Sequence, residues 1–197
     1  MTTVHRATST QLPGIVNLPM SDFAIHRANF FEKMKPNSIA FFGASHEVTR
    51  SNDTEYAFCQ NKHFYYLTGF NEPDALLVLL KTNKRQRSIL FSLPKDKDHE
   101  VWHGRRVGQD QACQHYNFDQ SFVLDELTNL VPQYLNNLSH VYFCFDNNEL
   151  TEQVFSWLSK VRATVRQGNK AVTSTHLTLP PNREVLVQCA HRLRANK

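Results

Sequence analysis

Three apolar runs follow one another so closely along the chain that they decide much about the fold. They are FYYLTGF (64–70), ALLVLLK (75–81) and SILFSL (88–93). Each run is short, mostly apolar and bounded by polar or turn-forming residues, which is typical of buried strands. The turn at 71–74 and the polar tip KTNKRQR are too short to hold the helix that a parallel crossover needs. Part of the predicted sheet is therefore antiparallel.

Three amphipathic segments are predicted to be helices. The first begins at Ser21 and is stopped by Pro36, the second covers 122–135, and the third covers 151–165. Pro132 is expected to bend the second helix or to end it early. The residues predicted to face inward are Phe23, Ile25, Phe30, Phe31 and Met34 in the first helix, Leu124, Leu127, Leu130 and Val131 in the second, and Val154, Phe155, Leu158 and Val161 in the third, which Thr151 caps.

Two more apolar runs, SIAFFGAS (38–45) and HVYFCF (140–145), are interpreted as further buried strands. Strands that are apolar almost without interruption must be covered on both faces, and the helices between them can supply that cover. The pattern predicts an α/β, three-layer domain that has a mixed parallel and antiparallel sheet with helices on both faces.

Composition narrows the class of protein. The chain has 197 residues, of which 41% are hydrophobic and 20% charged, enough for one ordinary domain with a sizeable core. The formal net charge is +4, but basic and acidic residues alternate and no long basic run marks a nucleic-acid surface. No apolar run is long enough to span a bilayer, and a signal peptide is not evident. We therefore expect a cytoplasmic protein that binds neither nucleic acid nor membranes.

One motif suggests a different chemistry. His99, Glu100 and His103 in DHEVWHGRR match the zinc-peptidase pattern H-E-x-x-H. That pattern needs a helix, because only there do both imidazoles point the same way, and this window contains Pro94 and Gly104 with little helix propensity. A third ligand is also required, and Glu126 is better explained as a solvated residue. A standalone zinc hydrolase is thus an alternative reading of the sequence.

A longer series of residues resembles a known family. The stretch from Arg50 to Pro73 and the later VWHGRRVGQD resemble the N-terminal domain of aminopeptidase P, the Xaa-Pro aminopeptidase of the creatinase–prolidase metallopeptidases. The matching positions are Arg50, Ser51, Asp53, Tyr56, Gln60, Asn61, Phe64, Tyr66, Thr68, Gly69, Phe70, Glu72, Pro73, Trp102, Gly104, Arg105, Arg106 and Gly108. The resemblance implies a ribonuclease H-like fold, and it makes H-E-x-x-H an accident of two histidines beside a family motif.

The resemblance also implies roles for particular residues. It places Trp102 and Arg166 near the mouth of an active site, that of a neighbouring subunit in the case of Trp102, where they would gate the substrate. The remaining motif residues are interpreted as structural: Arg50, Asp53, Tyr56, Gly69, Phe70, Glu72, Pro73, Gly104, Arg105 and Arg106. No residue of this chain is predicted to be catalytic or to bind a metal.

The family's chemistry is expected outside these residues. The resemblance implies paired divalent ions, usually manganese, in a C-terminal catalytic domain, with proline-containing peptides as substrates and a homodimer or homotetramer as the assembly. We predict a loose leader at 1–20, the N-terminal domain at 21–185, and the start of a linker to the catalytic domain at 186–197. A freestanding binding module that never had a catalytic partner is a further alternative.

Overall fold

The structure, a computed structural model, describes residues 20–52, 54–96, 106–145 and 147–165. The helices are α1 (Met20–Lys33), α2 (Lys62–Thr68), α3 (Gln109–Tyr116), α4 (Leu127–Tyr134) and α5 (Asn148–Val165), and one turn of 3₁₀ helix, Leu124–Glu126, precedes α4. The strands are β1 (Ser38–Gly43), β2 (Thr49–Ser51), β3 (Thr54–Glu55), β4 (Leu76–Lys81), β5 (Gln86–Ser92), β6 (Gln120–Val123) and β7 (His140–Phe143). None of the described helices is long and apolar enough to cross a membrane.

Five strands form one mixed sheet in the order β6-β5-β4-β1-β7, and β2 pairs with β3 in a separate hairpin. The neighbours β1–β4 and β4–β5 are antiparallel, and β4–β5 is the pair that the short KTNKRQR connection predicts, whereas β1–β7 and β5–β6 are parallel. Strand β4 lies at the centre and is buried along five of its six residues. Its uninterrupted apolar sequence is explained by a helical layer on each face.

The first face of the sheet is covered by α4 and α5. Alternate strand residues point to this side, as the period of a strand requires. The buried residues of this first core cluster are Ile39, Phe41, Leu76, Val78, Leu80, Ile89 and Phe91 from β1, β4 and β5, Phe143 from β7, Leu127, Val131, Leu135 and Leu138 from α4 and the turn after it, and Leu150, Val154, Trp157 and Val161 from α5.

The second face is covered by α1, α2 and α3 and is rich in aromatic residues. The buried residues of this second core cluster are Phe31, Met34, Ala40, Phe42, Ala44, Phe64, Leu67, Phe70, Ala75, Leu77, Leu79, Leu90, Ala112 and Phe118. With helices on both sides of a mixed sheet, the predicted three-layer α/β architecture is confirmed.

One predicted strand is wrong. FYYLTGF folds as α2 and not as a strand, because Asn61 caps the helix by accepting bonds from the backbone N–H groups of His63 and Phe64. Gly69 ends the helix with a left-handed φ of 66°. Aromatic residues favour strands only weakly, and local capping at both ends outweighs that preference here.

Other predictions need smaller corrections. The segment predicted as one helix over 122–135 begins as β6 and becomes regular helix only at Leu127. Helix α5 begins at Asn148, where Asn147 and not Thr151 accepts a bond from the N–H of Leu150. The side chains of Ile25 and Phe155, predicted to face inward, are among the exposed large apolar residues. Helix α3 was not predicted at all.

Candidate functional site

The ends of the strands define one edge of the sheet where the sequence motifs gather. Strands β1, β5, β6 and β7 all end at this edge, which we call the carboxyl edge, and β4 begins there, since Gly43 pairs with Leu76 and Leu76 with Phe91. In open α/β sheets, ligands favour the crevice beyond the carboxyl ends of the strands. The loops that leave this edge include most of the family-motif positions.

Gln60 ties three of these loops together. Its Oε1 accepts bonds from the N–H groups of Ser45 at 2.8 Å and Asn61 at 2.9 Å. Its Nε2 donates to the carbonyl of Glu72 at 2.9 Å and, more weakly, to that of Phe70 at 3.3 Å. One amide side chain thus satisfies backbone groups from segments that no regular structure pairs. We did not predict this role from the sequence.

Glu72 connects the same turn to the chain that follows the DHEVWHGRR stretch. Its Oε1 accepts a bond from the N–H of Val107 at 2.6 Å. Lys95, which follows β5, packs against Gly108, so that a Cβ on this glycine would lie 3.2 Å from the Lys95 Cβ. Both ends of the segment between 96 and 106 are therefore held at the carboxyl edge. Arg106, at its downstream end, is half-buried.

The hairpin of β2 and β3 extends from this edge and carries two further motif residues. The guanidinium of Arg50 lies 5.9 Å from the ring centroid of Tyr56, a cation–π geometry. Tyr56 is 58% exposed and Val48, across from it, is 59% exposed. The hairpin therefore presents a basic and aromatic surface that the rest of the described structure does not bury.

Two motif residues are part of the core. Phe70 is fully buried, and Gly69 adopts a φ that other residues rarely adopt. A Cβ on Gly69 would come within 2.5 Å of the ring of Phe23 on α1. Pro73 follows in the turn before β4. These positions stabilise the loop and do not present a reactive group.

Several predicted site residues lie outside the described residues. They are Asp53, Trp102, Gly104, Arg105 and Arg166, together with His99, Glu100 and His103 of the zinc alternative. Within the described ranges, no group of three or more His, Cys, Asp and Glu side chains is arranged to hold a metal ion. The roles assigned to all of these residues stay predictions.

A cleft of about 520 Å³ opens at the carboxyl edge on the first face. Its apolar wall includes Leu93, Leu127 and Trp157, and Lys160 lies on the same side. At its rim, the imidazole of His46 contacts the carboxylates of Asp74, in the turn before β4, and Glu149, in α5. Sequence reasoning did not find this cluster, because its members are brought together only by the order of the strands.

Comparison with known proteins identifies a family and two sequence relatives of this domain. Residues 23–142 match the family described as aminopeptidase P, N-terminal domain. The Xaa-Pro aminopeptidase of Haemophilus influenzae is 39% identical over 132 residues, which is 67% of this chain and 31% of the relative. That of Escherichia coli is 39% identical over 148 residues, covering 74% of this chain and 34% of the relative.

Solved structures agree with the sequence relatives. Aminopeptidase P from Escherichia coli superposes with a TM-score of 0.76 at 38% identity, over 80% of this chain and 36% of that structure. The aminopeptidase PepP of Pseudomonas aeruginosa superposes with a TM-score of 0.76 at 30% identity, over 80% of this chain and 36% of that structure. The fold is thus that of the N-terminal domain of a peptidase. The chain belongs to the aminopeptidase P N-terminal domain family, and it spans about a third of the length of the curated relatives above.

Proposed function

We propose that this chain is the non-catalytic part of an Xaa-Pro aminopeptidase and that its carboxyl edge walls the mouth of the active site. The observation that carries the proposal is the gathering of the motif loops, the exposed hairpin and both ends of the Trp102 segment at one edge of the sheet. Such a cluster of loops at the carboxyl edge suits a domain that limits access to the active site of a catalytic domain.

The proposed substrate is supported by the relatives, which are Xaa-Pro aminopeptidases. The bond before proline has no N–H and a fixed φ, so a dedicated site is needed to cleave it. Paired manganese ions in a catalytic domain would supply the activated nucleophile for this hydrolysis. The present domain contributes exclusion of long peptides and a surface against which proline can pack.

Trp102 and Arg166 are the residues we assign to gating. The aromatic face of a tryptophan can stack on a proline ring, and a guanidinium can bind the peptide's carboxylate. Oligomer contacts, through which Trp102 would reach a neighbouring subunit, and a cytoplasmic location are part of the same proposal. The hairpin with Arg50 and Tyr56 is a second candidate for contact with the catalytic domain, because its apolar side chains are exposed.

The test is a fusion of this chain to the catalytic part of the Escherichia coli relative, replacing the matched region. We expect the chain alone to be inactive and the fusion to hydrolyse a tripeptide with proline in second position when manganese is added. Trp102→Ala should lower kcat/KM about tenfold, which corresponds to about 1.4 kcal/mol of lost contact. Phe155→Ala, an exposed aromatic on α5, is the matched control and should leave kcat/KM unchanged.

The alternatives predict other outcomes. One tightly held zinc ion in the chain alone, lost in His99→Ala, would support the zinc hydrolase and contradict the proposal. A fusion that folds but shows the same kcat/KM with Trp102 or alanine would remove the gating role. A folded fusion without any peptidase activity would support a freestanding binding module.

A further inference from the structure

His46 lies between two carboxylates that come from distant parts of the chain. Its Nδ1 is hydrogen-bonded to a carboxylate oxygen of Asp74, in the turn before β4. Its Nε2 lies 3.0 Å from Oε2 of Glu149, in the first turn of α5. His46 itself is in the segment between β1 and the β2–β3 hairpin. We call these three side chains the His46 cluster.

The geometry favours the protonated form of His46. An ionised carboxylate only accepts hydrogen bonds, and only the imidazolium carries an N–H on each ring nitrogen, so the protonated ring best fits the hydrogen bond to Asp74 at Nδ1 together with the ion pair to Glu149 at Nε2. The pKa of His46 is raised, first by the hydrogen bond to Asp74, against an opposing effect of partial burial, and then by the charge of Glu149. Loss of one proton would turn a ring-nitrogen lone pair toward Asp74 or Glu149 and weaken that contact.

We propose that the His46 cluster is a pH-sensitive clamp that fixes the base of the β2–β3 hairpin when His46 is protonated and releases it when the proton is lost. The hairpin begins three residues after His46, and the N–H of Tyr56 closes its base by donating to Val48 at 2.9 Å. Because the clamp joins this base to Asp74 and to α5, its release frees the exposed hairpin surface to move. The inference does not depend on the proposed peptidase function.

The charges around His46 favour its cationic form. Asp74 faces it from the turn before β4, and Glu149 faces it from α5. Glu47 is the neighbouring residue of its own segment and is exposed. Lys160, the cation that lines the same cleft, is eleven positions after Glu149 on α5 and hence about 16 Å away along the helix axis. The carboxylates therefore dominate the field at the imidazole.

The direction of the pH effect follows from the raised pKa. A histidine whose folded-state pKa exceeds its unfolded value adds stability that is complete below the unfolded pKa, and this stability is lost as pH rises through the folded pKa. The ordinary imidazole value is 6.5. While Asp74 and Glu149 are ionised, the clamp is thus closed below about pH 6.5, and it opens as the pH rises above the folded-state pKa of His46. The His46 side chain is 52% exposed, so salt weakens the effect.

The first experiment is an NMR titration of the His46 ring in the full chain. We expect its pKa to lie above 6.5 and to fall toward 6.5 in Glu149→Gln. Glu152→Gln, which removes an exposed charge on the next turn of α5, is the matched control and should leave the pKa unchanged. An unshifted His46, or a shift that Glu149→Gln does not alter, overturns the clamp.

The second measurement tests what the clamp controls. The protection factor of the Tyr56 amide, corrected for the intrinsic exchange rate, should fall about threefold or more when the pH is raised through the His46 pKa. In His46→Gln it should be low at every pH and independent of pH. If the wild-type protection factor does not change with pH, the titration is uncoupled from the hairpin and the proposal is wrong.

Discussion

The two faces of the sheet are stabilised in different ways. The first face is covered by apolar side chains of α4 and of the 18-residue α5. The ring centroids of Trp157 and Phe41 lie 5.4 Å apart. The second face is covered in part by α2 and α3, of seven and eight residues. Helices this short are not stable alone in water. Helix α4 on the first face is equally short. The second face differs in that polar groups bind the ends of its helices, in addition to its apolar contacts.

Arg27 is the main such group. This α1 residue is 3% exposed, and its guanidinium donates to the carbonyl of Leu67 at 2.9 Å and to those of Tyr116 and Asn117, each at 2.8 Å. Leu67 and Tyr116 lie in the last turns of α2 and α3, and Asn117 is the residue that caps α3. Burial lowers the pKa of Arg27 to about 10, so it remains a cation at neutral pH. One buried charge thereby joins three helices.

Lys81, at the end of β4, binds the carboxyl end of α1 in a similar way. Its Nζ donates to the carbonyls of Phe31 at 2.6 Å and Met34 at 2.7 Å. A cation at the carboxyl end of a helix also complements the helix dipole. The comparison teaches that one face of the sheet is covered by apolar packing, whereas the other adds cations that bind the ends of its helices.

The largest expected effect is on the first face. Phe41→Ala removes a fully buried ring from β1 and should lower the free energy of unfolding by about 4 kcal/mol, because it leaves a cavity beside Trp157. Urea unfolding followed by circular dichroism measures this. Phe41→Leu, which keeps most of the apolar volume, should cost less than half as much. Equal costs for the two variants would contradict the view that cavity formation dominates on this face.

Arg27→Met tests the second face. The substitution keeps an unbranched apolar side chain but removes the donors to three carbonyls, so we expect a loss of about 3 kcal/mol in the same unfolding assay. Arg27→Lys keeps the charge without the planar fork and should give an intermediate loss. A cost below about 1 kcal/mol for Arg27→Met would mean that apolar burial alone holds this face, as on the other side.

Gly69→Ala tests the contact between α1 and the end of α2. We expect a loss of about 2 kcal/mol, because alanine disfavours the left-handed φ and its Cβ would collide with the ring of Phe23. Gly43→Ala in β1 is the matched control, since its new Cβ would meet only the side chains of Asn147, at 3.2 Å, and Leu150, at 3.8 Å. Thermal unfolding of both variants makes the comparison. A larger cost at Gly43 would contradict our account of Gly69.

The central strands could be predicted because their sequence and their environment agree. Strands β1, β4 and β5 are buried on both faces, and an uninterrupted apolar run reports that directly. Helix α2 could not be predicted in the same way, because FYYLTGF is rich in residues that favour strands. The signal that we missed was local: Asn61 before the run and Gly69 near its end are ordinary cap residues.

The carboxyl edge shows a different limit of prediction. The resemblance identified Glu72 as a motif position, but its bond to Val107 depends on how two loops meet in space. The same holds for Gln60 and for the His46 cluster, whose partners are distant in sequence. Sequence patterns report local structure and burial, whereas contacts between loops follow from strand order, which the spacing of the runs restricts only in part.

The smallest expected effect is at the cap that decides the structure of α2. Asn61→Ala removes the acceptor for the N–H groups of His63 and Phe64, at 2.9 and 3.2 Å, and should cost about 1 kcal/mol of stability. Asn61→Asp keeps an acceptor for these N–H groups and should retain nearly all of the stability that the cap provides. If Asn61→Ala unfolds like the wild type, tertiary packing of Phe64 and Leu67 alone forces the helix. Capping would then no longer explain why an aromatic, strand-like sequence folds as it does.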